Sequence, residues 1–531
     1  MDDMPNPALP GAPGHPNAQD KAPHEVELKL RGTPAMLDKL RQAPVITQHA
    51  RNQGIVRRLE AVYYDTPDCL LDRHGISLRV RRSGQRHIQT LKRAASGDNP
   101  LARQEWETPV DDEHIDLSRF PVAEIGAPLD GLRAEVLRPV FSSKVRRRIQ
   151  KVQFDSALVE IAFDEGVIAA GERSEKLSEI ELELKAGDAA ILYEIGLSLL
   201  DLAPLQVETA TKAARGYKLA RNTEFKAAKA EPVAITAEDN VDAAIAKILG
   251  NGQHQLMANL APVEFGDNPE GVHQMRVSLR RLRTALTLIR RELGPTALGP
   301  VAEEARRLAR VLGPARNWDV FATDTLADIE KAGLPDIDIA GLRNAAEPFR
   351  AESYVVVREM LAGSQTNRFL LSFGRLLERR GWRNGVASEA MTVLAEPVKS
   401  FARRVLTRSH RKSLKRGRHF KQLSPEARHE LRLSLKKLRY TSEFFLPLYA
   451  DVPAAGKYLK RLSQLQDVLG AANDAATTQP LLDTLRRGTS APELHYSIGA
   501  VIGWQRREQV EAAKGLLKRW RKFEATTPFW A

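Results

Sequence analysis

Residues 24–30, which read His-Glu-Val-Glu-Leu-Lys-Leu, alternate charged and apolar side chains. Residues two apart share a face of a β-strand, so Glu25, Glu27 and Lys29 point one way and the apolar residues point the other. Residues 179–185, Glu-Ile-Glu-Leu-Glu-Leu-Lys, repeat this alternation much further along the chain. Both stretches predict strands with one fully charged face.

Short alternating segments also fill the region between these two stretches. The predicted strands are Glu25–Leu30, Val62–Asp65, Ser77–Arg82, His87–Arg93, Gln104–Val110, Lys144–Phe154, Leu158–Asp164 and Glu179–Lys185, with helices over Pro34–Arg41 and Asp188–Leu202. Turns are predicted at Gly75, Gly84, 97–100 and 164–166, where Gly, Asn, Asp and Pro concentrate. This spacing is typical of an antiparallel β sheet or barrel.

The charges on these strands are sorted by sign. Acids occupy the first and last strands, whereas Arg79, Arg81 and Lys92 occupy the middle ones. A face that is merely solvated has no need of such sorting. If the sheet closes with its charged faces inward, the acidic wall favours divalent cations and the basic wall favours phosphate or sulfate oxygens. A metal-bound triphosphate would satisfy both walls.

Several segments of this region resemble CYTH domains, the triphosphate tunnel metalloenzymes, over residues 23–221. The resemblance is carried by the Glu-x-Glu-x-Lys pattern at 25–29 and by residues 63–67, 78–81, 90–92, 103–107, 159–164, 179–183 and 211–217. It implies an eight-stranded antiparallel β tunnel, Mg²⁺ or Mn²⁺ as the cofactor, and cleavage of triphosphate-bearing substrates.

The resemblance also implies roles for individual residues. The metal ligands would be Glu25, Glu27, Glu181 and Glu183. The triphosphate-binding residues would be Arg79, Arg81, Lys92, Arg147 and Lys212, and the catalytic group would be Lys29, Glu105 and Asp164. In the strand at 144–148, Arg147 is the expected inward base, but a one-residue slip would turn Arg146 and Arg148 inward instead.

The second half of the chain differs in charge and in period. Residues 236–531 hold 47 Lys and Arg against 32 Asp and Glu, whereas residues 1–235 hold 33 against 35. From residue 241 to 524 the apolar residues follow a helical period. The excess of positive charge points to a polyanionic partner for this helical part.

The helical part contains an internal repeat. Residues 268–283, Asn-Pro-Glu-Gly-Val-His-Gln-Met-Arg-Val-Ser-Leu-Arg-Arg-Leu-Arg, recur as Ser-Pro-Glu-Ala-Arg-His-Glu-Leu-Arg-Leu-Ser-Leu-Lys-Lys-Leu-Arg at 424–439. Asn268 and Ser424 are the predicted N-caps. At about 100° per residue, each copy places four basic groups within a sector of about 80°. The two rows are His273, Arg276, Arg280 and Arg283, and His429, Arg432, Lys436 and Arg439.

This part of the chain resembles the CHAD domain, the conserved histidine α-helical domain, over residues 241–524. The resemblance implies two pseudo-symmetric four-helix bundles around a basic groove that binds inorganic polyphosphate. A further basic stretch, residues 403–421, contributes Arg411 and Lys412 to the expected polyphosphate-binding residues, which otherwise are the two rows.

The remaining segments give weaker indications. Residues 1–22 are rich in Pro, Gly and Ala and are predicted to be disordered, and residues 222–240 are the predicted linker. Cys69 is the single cysteine, which excludes an intrachain disulfide. With no secretory signal and no apolar run of about 18 residues, we expect a cytoplasmic protein without a membrane partner, and association with polyphosphate granules is compatible with that.

The sequence therefore predicts an α+β multidomain protein, a metal-dependent inorganic triphosphatase fused to a module for long-chain polyphosphate. One alternative is an organic triphosphatase, acting on thiamine or nucleoside triphosphate, or an adenylate cyclase. Another is a non-catalytic polyphosphate-granule protein, against which the intact acidic strands count. A specific nucleic-acid partner is disfavoured because no aromatic residues interleave the basic rows.

Overall fold

The computed structural model describes residues 24–94, 101–294 and 297–531, so the predicted tail at 1–22 and the predicted turn at 97–100 lie outside the described residues. The strands are β1 His24–Arg31, β2 Ile55–Asp65, β3 Ile76–Ser83, β4 Arg86–Ala94, β5 Ala102–Val110, β6 Arg138–Phe154, β7 Ala157–Ala170, β8 Arg173–Gly187 and β9 Gln206–Glu208. The helices are α1 Pro34–Leu40, α2 Pro44–Thr47, α3 Leu70–Arg73, α4 Val122–Ile125, α5 Ala190–Leu202, α6 Lys212–Arg221, α7 Val241–Ala258, α8 Leu260–Phe265, α9 Pro269–Leu293, α10 Leu298–Asp319, α11 Leu326–Lys331, α12 Ile339–Ala362, α13 Ser364–Glu378, α14 Ser388–Ala395, α15 Val398–Arg416, α16 Pro425–Phe445, α17 Ala454–Gly488 and α18 Pro492–Glu524.

Eight antiparallel strands close into a barrel. The sheet runs in the order β5-β4-β3-β2-β6-β7-β8-β1, and β1 pairs again with β5 to complete the circuit. The short β9 adds to β1 at Lys29–Arg31. Closure satisfies the backbone groups that an open sheet would leave at its edges. The predicted eight-stranded antiparallel tunnel is confirmed.

The predicted turn at 164–166 is wrong. These residues lie within β7, where Gly166 pairs with Val145 of β6. A Cβ on Gly166 would come within 2.1 Å of the Lys144 carbonyl oxygen, so glycine here lets two strands approach closely and does not reverse the chain. The chain turns at Gly171, whose φ of +58° is in the left-handed region.

Helix α6, which the strand pattern did not predict, packs into the barrel. The Thr211 hydroxyl caps it by accepting the Ala214 N–H at 3.0 Å. Tyr217 packs edge-on against Phe141 and donates a hydrogen bond of 2.8 Å to buried Asp65. These contacts hold the first residue of the helix, Lys212, in a buried position inside the barrel.

The helical region is built twice. Helices α7, α9, α10 and α12 pack in chain order, and α15, α16, α17 and α18 repeat the arrangement. Helices α9 and α16 begin 156 residues apart, at Pro269 and Pro425. The predicted N-caps Asn268 and Ser424 both accept a backbone N–H of the first turn. The prediction of two pseudo-symmetric four-helix bundles is confirmed.

One hydrophobic core continues from the barrel into the helical region. Helix α13, between the two bundles, packs on α5 and β9 of the barrel domain. The Asn367 side chain accepts the Val207 N–H at 2.7 Å, and Gly374 lies so close to Tyr193 that a Cβ would approach the ring to 2.1 Å. The barrel and the helices are therefore docked by a dry, close-packed interface.

The predicted linker, residues 222–240, has no regular secondary structure, yet it is held in place. Its Val233 and Ile235 are buried in the shared core. Asn259 also binds the linker through two hydrogen bonds with the Ala228 backbone, at 3.0 and 2.9 Å.

Among the helices that the structure describes, none combines the length and apolarity that a membrane span requires.

We expect Asn367→Ala to lower the free energy of unfolding by about 1–3 kcal/mol, because it leaves the buried Val207 N–H without an acceptor. Gln365→Ala is the matched control, since Gln365 is exposed on the same helix and should change stability by less than about 0.5 kcal/mol. Denaturant unfolding of the full chain measures both. Equal effects of the two substitutions would contradict the role of this bond at the interface.

Candidate functional site

The inward faces of the barrel strands and the start of α6 line a cavity of about 170 Å³. Its ionisable lining residues are Glu25, Glu27, Lys29, Arg79, Arg81, Lys92, Arg103, Glu105, Glu107, Arg147, Glu160, Glu181, Glu183, Lys185 and Lys212. Every residue predicted for metal, triphosphate or catalysis is among them except Asp164, which is fully buried against Arg147 and Lys212.

The register of β6 decides which arginine faces inward. Arg147 pairs with Asp164 of β7 and lines the cavity. Arg146 is exposed, and Arg148 donates to the Gln53 carbonyl oxygen at 3.0 Å on the outer side. The alternative register, with Arg146 and Arg148 inward, is therefore not the one that the chain adopts.

Lys212 and Arg147 lie among three buried carboxylates at one end of the cavity. Arg147 forms a two-pronged interaction with Asp164, at 2.8 and 2.6 Å, and also contacts Glu181. Lys212 lies 2.8 Å from Asp164 and 2.6 Å from Glu181 and contacts Glu179. This cluster is internally neutralised, as buried charges must be.

The pKa values of this cluster follow from burial and charge. Burial alone would raise the pKa of Glu181, but Arg147, Lys212 and Lys29 outweigh it and hold that pKa well below the usual range. The pKa of Asp164 is likewise lowered, by Lys212 and Arg147 against burial. For Glu179 burial prevails, and its pKa is raised despite Lys212.

Three further carboxylates form a row across adjacent strands. Glu27 of β1 pairs with Glu183 of β8, which in turn pairs with Glu160 of β7. Directly paired residues have Cβ atoms about 5 Å apart, so one cation could be shared by a neighbouring pair in the row. Burial, with Glu25 and Glu27 nearby, raises the pKa of Glu183 even though Lys185 contacts it.

Two groups of acids are thus alternative candidates for a metal site. Oxygens of Asp164, Glu179 and Glu181 lie within 4.8 Å of one another, which suits one ion, but the ammonium of Lys212 already lies among them. In the row of Glu27, Glu183 and Glu160, Lys29 contacts Glu27 and Lys185 contacts Glu183, and both lysines have flexible side chains that can move away. We favour this row, with Glu25, because its mutual repulsion calls for a cation.

The basic wall stands opposite these acids. Arg79 is half-buried, donates to the Tyr63 hydroxyl at 3.4 Å, and has a buried Nε with no hydrogen-bond partner among the described residues. Lys92 lies between Glu25 at 2.6 Å and Glu105 at 3.1 Å. Burial and the neighbouring Arg79 lower the pKa of Arg81, which lies 3.2 Å from Glu107.

The sequence analysis did not assign several lining residues. They are Tyr63, Arg103, Glu107, Glu160 and Lys185. Glu160 was detectable, because it lies four residues before Asp164 and therefore on the same face of one strand. The predicted strand Leu158–Asp164 already contained both residues, but only Asp164 was given a role.

In the helical region, the first basic row lies on α9. Arg276 donates to the Ala309 carbonyl oxygen at 2.9 Å, and Arg280 donates to Tyr440 of α16 at 3.1 Å. Burial together with Arg280, Arg316 and Arg283 lowers the pKa of Arg276 to about 10. Burial and Arg316 also lower the pKa of His273. Arg316 of α10 is a member of this cluster that the sequence pattern did not reveal.

The second basic row lies on α16, which packs against α9. Arg439 of this row lies 3.3 Å from Glu443, which is also 3.4 Å from Arg281 of α9. The bond from Arg280 of the first row to Tyr440, which follows Arg439 on α16, joins the two helices. The structure thus brings the two rows, which include His429, Arg432 and Lys436, to one helix pair.

Arg411 and Lys412 of α15 have different surroundings. Arg411 lines a shallow hollow on α15 together with Arg403, Arg404 and Arg408. Lys412 is exposed, and its partial burial, with Arg416, Lys437 of α16 and Arg291 of α9 nearby, lowers its pKa. Lys412 therefore lies near both helices that carry the basic rows.

Comparison with known families accounts for both halves of the chain. The CYTH domain family matches residues 23–217, and the CHAD domain family matches residues 247–483. The protein is a CYTH domain followed by a CHAD domain. The tunnel described above is the CYTH domain, and the doubled helical region contains the CHAD domain.

Individual relatives share parts of this architecture. An inorganic triphosphatase of Haemophilus influenzae is 32% identical over 198 residues, covering 37% of this chain and 54%, about half, of that protein. An uncharacterized protein of Mycobacterium tuberculosis is 25% identical over 493 residues, covering 87% of this chain and 90% of that protein. The crystal structure of the CHAD domain from the plant Ricinus communis aligns with 57% of this chain and 98% of its own, at 25% identity and a TM-score of 0.49.

We expect Asp164→Asn to lower the free energy of unfolding at pH 7 by about 3 kcal/mol, since it leaves Arg147 and Lys212 short of a buried counter-charge. The depressed pKa of Asp164 contributes stability above the unfolded-state pKa of about 4, and this stability is lost as the pH falls through the lower folded-state value. The variant should therefore lose less stability on acidification than the natural chain.

Denaturant unfolding between about pH 3 and pH 7 measures this difference. Asp130→Asn, at an exposed position, is the control and should follow the natural chain. If the Asp164→Asn and natural curves fell in parallel as the pH decreased, Asp164 would not be held ionised by the cluster.

Proposed function

We propose that the CYTH domain is a metal-dependent triphosphatase, with inorganic triphosphate as the preferred substrate and pyrophosphate and phosphate as the products. The observation that carries the proposal is the single cavity lined by an acidic row and a basic wall from all sides of the barrel. The similarity to an inorganic triphosphatase over the CYTH region supports the choice of substrate.

Each wall has its own task in this proposal. Arg79, Arg81, Arg147, Lys92 and Lys212 hold the phosphate oxygens, with arginine giving two-pronged contacts and lysine acting as a point charge. Lys29, which lies 2.7 Å from Glu181 and 3.0 Å from Glu27, bridges the acidic row and the phosphates. Fixed cations around a phosphoryl group stabilise the charge that spreads over its oxygens during transfer.

Mg²⁺ or Mn²⁺ would be held by Glu25, Glu27 and Glu183, with Glu160 completing the row and Glu181 near by. When bound, the ion would neutralise the triphosphate and orient a water molecule for in-line attack. The acidic row fits this group by the chemistry of its donors, since carboxylate oxygens are the ligands that both ions prefer.

Of the residues expected to act in catalysis, Glu105 lines the cavity, where its carboxylate reaches Lys92 and could orient the attacking water. Asp164 has a different part. Both of its oxygens are engaged by Arg147 and Lys212, so we assign it the positioning of these two cations and not a contact with water.

We propose further that the CHAD domain binds long-chain polyphosphate along the two rows on α9 and α16. The observation favouring this is the cluster of Arg276, Arg280 and Arg316, in which burial and the charges of Arg280, Arg316 and Arg283 lower the pKa of Arg276. A flexible polyanion would offset these crowded charges, and successive phosphates would meet successive helical turns. Lys412, near Lys437 and Arg291, would contact the same polyanion, whereas Arg411 would contact it only through the hollow on α15.

The alternative substrates are separated by a phosphate-release screen. Inorganic triphosphate, thiamine triphosphate and ATP are compared with Mg²⁺ and with Mn²⁺, and cyclic nucleotide formation from ATP is measured in parallel. Inorganic triphosphate should give the highest kcat/KM. Absence of any turnover would favour the non-catalytic, granule-associated protein instead.

We expect Glu27→Gln to lower kcat/KM for the best triphosphate by at least about 100-fold, because it removes a charge that stabilises the transition state through the metal. Glu60→Gln is the matched control, since Glu60 lies on the outer face of β2 and pairs with Arg82 there. Steady-state phosphate release measures both, and thermal unfolding checks the fold. Near-normal turnover by Glu27→Gln would refute the assignment of the acidic row.

For the helical domain, we expect the double charge reversal Arg280→Glu with Lys436→Glu to weaken polyphosphate binding by about 100-fold, because charge-assisted contacts contribute about 1.5–3 kcal/mol each. The control reverses exposed Lys331 and Arg343, with the same change in net charge. Arg281 is unsuitable as a control because it is buried and bonded to Asn251. Titration at constant ionic strength measures both pairs, and equal losses would leave only nonspecific attraction.

A further inference from the structure

A second cavity, of about 330 Å³, adjoins the tunnel where α7 of the helical domain meets the barrel. Glu27, Lys29, Lys92 and Arg103 line both cavities, so the two spaces adjoin and share these side chains as a wall. The helical domain's side of the second cavity is formed by His254, Met257 and Ala258. We call this second cavity the side opening of the tunnel; its wall belongs partly to the other domain.

The opening follows from how β1 pairs. It pairs with β5 over His24–Val26, and the Glu27 N–H still donates to the Leu101 carbonyl oxygen at 3.1 Å. From Lys29 onward, β1 pairs with β9 instead. The seam between β1 and β5 consequently parts after Glu27, and this is where the second cavity begins.

The α7 wall is firmly attached to the rest of the molecule. Asn259, at the end of α7, forms two hydrogen bonds with the Ala228 backbone. Gln253, next to His254, is fully buried. The wall thus keeps a fixed position relative to the barrel, and His254 is half-buried within it.

We propose that phosphate anions enter and leave the tunnel through this side opening, and that His254 is the helical-domain residue that controls their passage. Lys29, Lys92 and Arg103 attract the anion at the inner end. Each of the three acids on the opening has a basic partner: Glu27 lies 3.0 Å from Lys29, Asp72 lies 2.9 Å from Arg221, and Glu208 lies 3.8 Å from Arg31. The imidazole supplies a hydrogen-bond donor at the outer end.

This proposal rests on the proposed function only for the identity of the anion. The passage of the anion into the tunnel can be measured as binding, without any hydrolysis. In the full chain, Cys69→Ser removes the single cysteine, and His254→Cys then places one thiol at the opening. The thiol is modified after folding with a benzyl methanethiosulfonate. Binding of inorganic tripolyphosphate to the metal-free protein is then followed by stopped flow.

We expect the modification to lower the association rate constant for tripolyphosphate by about tenfold or more. The dissociation rate constant should fall by the same factor, since an obstacle on the path slows both directions and leaves Kd unchanged. Lys247→Cys, in the same Cys69→Ser background and modified in the same way, is the matched control. Lys247 lies two turns earlier on α7, lines neither cavity, and should leave the association rate unchanged.

An unchanged association rate after modification at position 254 would overturn the proposal. A change in Kd with an unchanged association rate would also overturn it, because His254 would then be a binding contact or a structural residue. If the natural chain binds tripolyphosphate but hydrolyses no triphosphate, the proposed function fails. The association rate constants of the modified variants would still show whether anions pass through the side opening. If it does not bind tripolyphosphate at all, both proposals fail.

Discussion

Inside the barrel an ionised side chain is stable only when an opposite charge lies within a few ångströms of it, because little water is available there to solvate it. Lys212 with Asp164 and Glu181, Arg147 with Asp164, and Lys29 with Glu181 all meet this condition. The condition also explains why α6 must dock against the barrel, since its first residue, Lys212, brings an ammonium into contact with three carboxylates, which Arg147 and Lys29 help to balance. The same geometry leaves an acidic row and a basic wall that are only partly matched to each other, and that mismatch is what a metal triphosphate would relieve.

The helical domain applies the same electrostatic principle at a different site. Burial and the charges of Arg280, Arg316 and Arg283 depress the pKa of Arg276, so an anion bound there would stabilise this cluster. The two domains share one hydrophobic core and a fixed interface through α13 and α7. The two proposed polyanion sites therefore belong to one mechanical unit, and the linker between the domains is packed in place by Val233 and Ile235.

Much of this was predictable because alternation and repetition are strong signals. The period-two charge pattern predicted every barrel strand, and the repeat at 268–283 and 424–439 predicted the doubled bundle. Other features arise from tertiary contacts that no local pattern records. Gly166 is a residue type that favours turns, yet it lies within a strand because β6 passes close to it. The ion pairs of Asp164 could not be predicted either, because they form only where β6, β7 and α6 meet. The interface of α13 with α5, the inclusion of Arg316 in the basic cluster, and the separation of Arg411 from the rows are of the same kind.

The central claim is that the acidic and basic walls of the tunnel bind a metal and a triphosphate as one unit. Thermal unfolding of the full chain, measured with tripolyphosphate alone, with Mg²⁺ alone and with both, tests this directly, since a ligand that binds the folded state raises Tm according to its affinity. The account predicts that the two together raise Tm by clearly more than the sum of their separate effects. A strictly additive increase, or no increase, would contradict it.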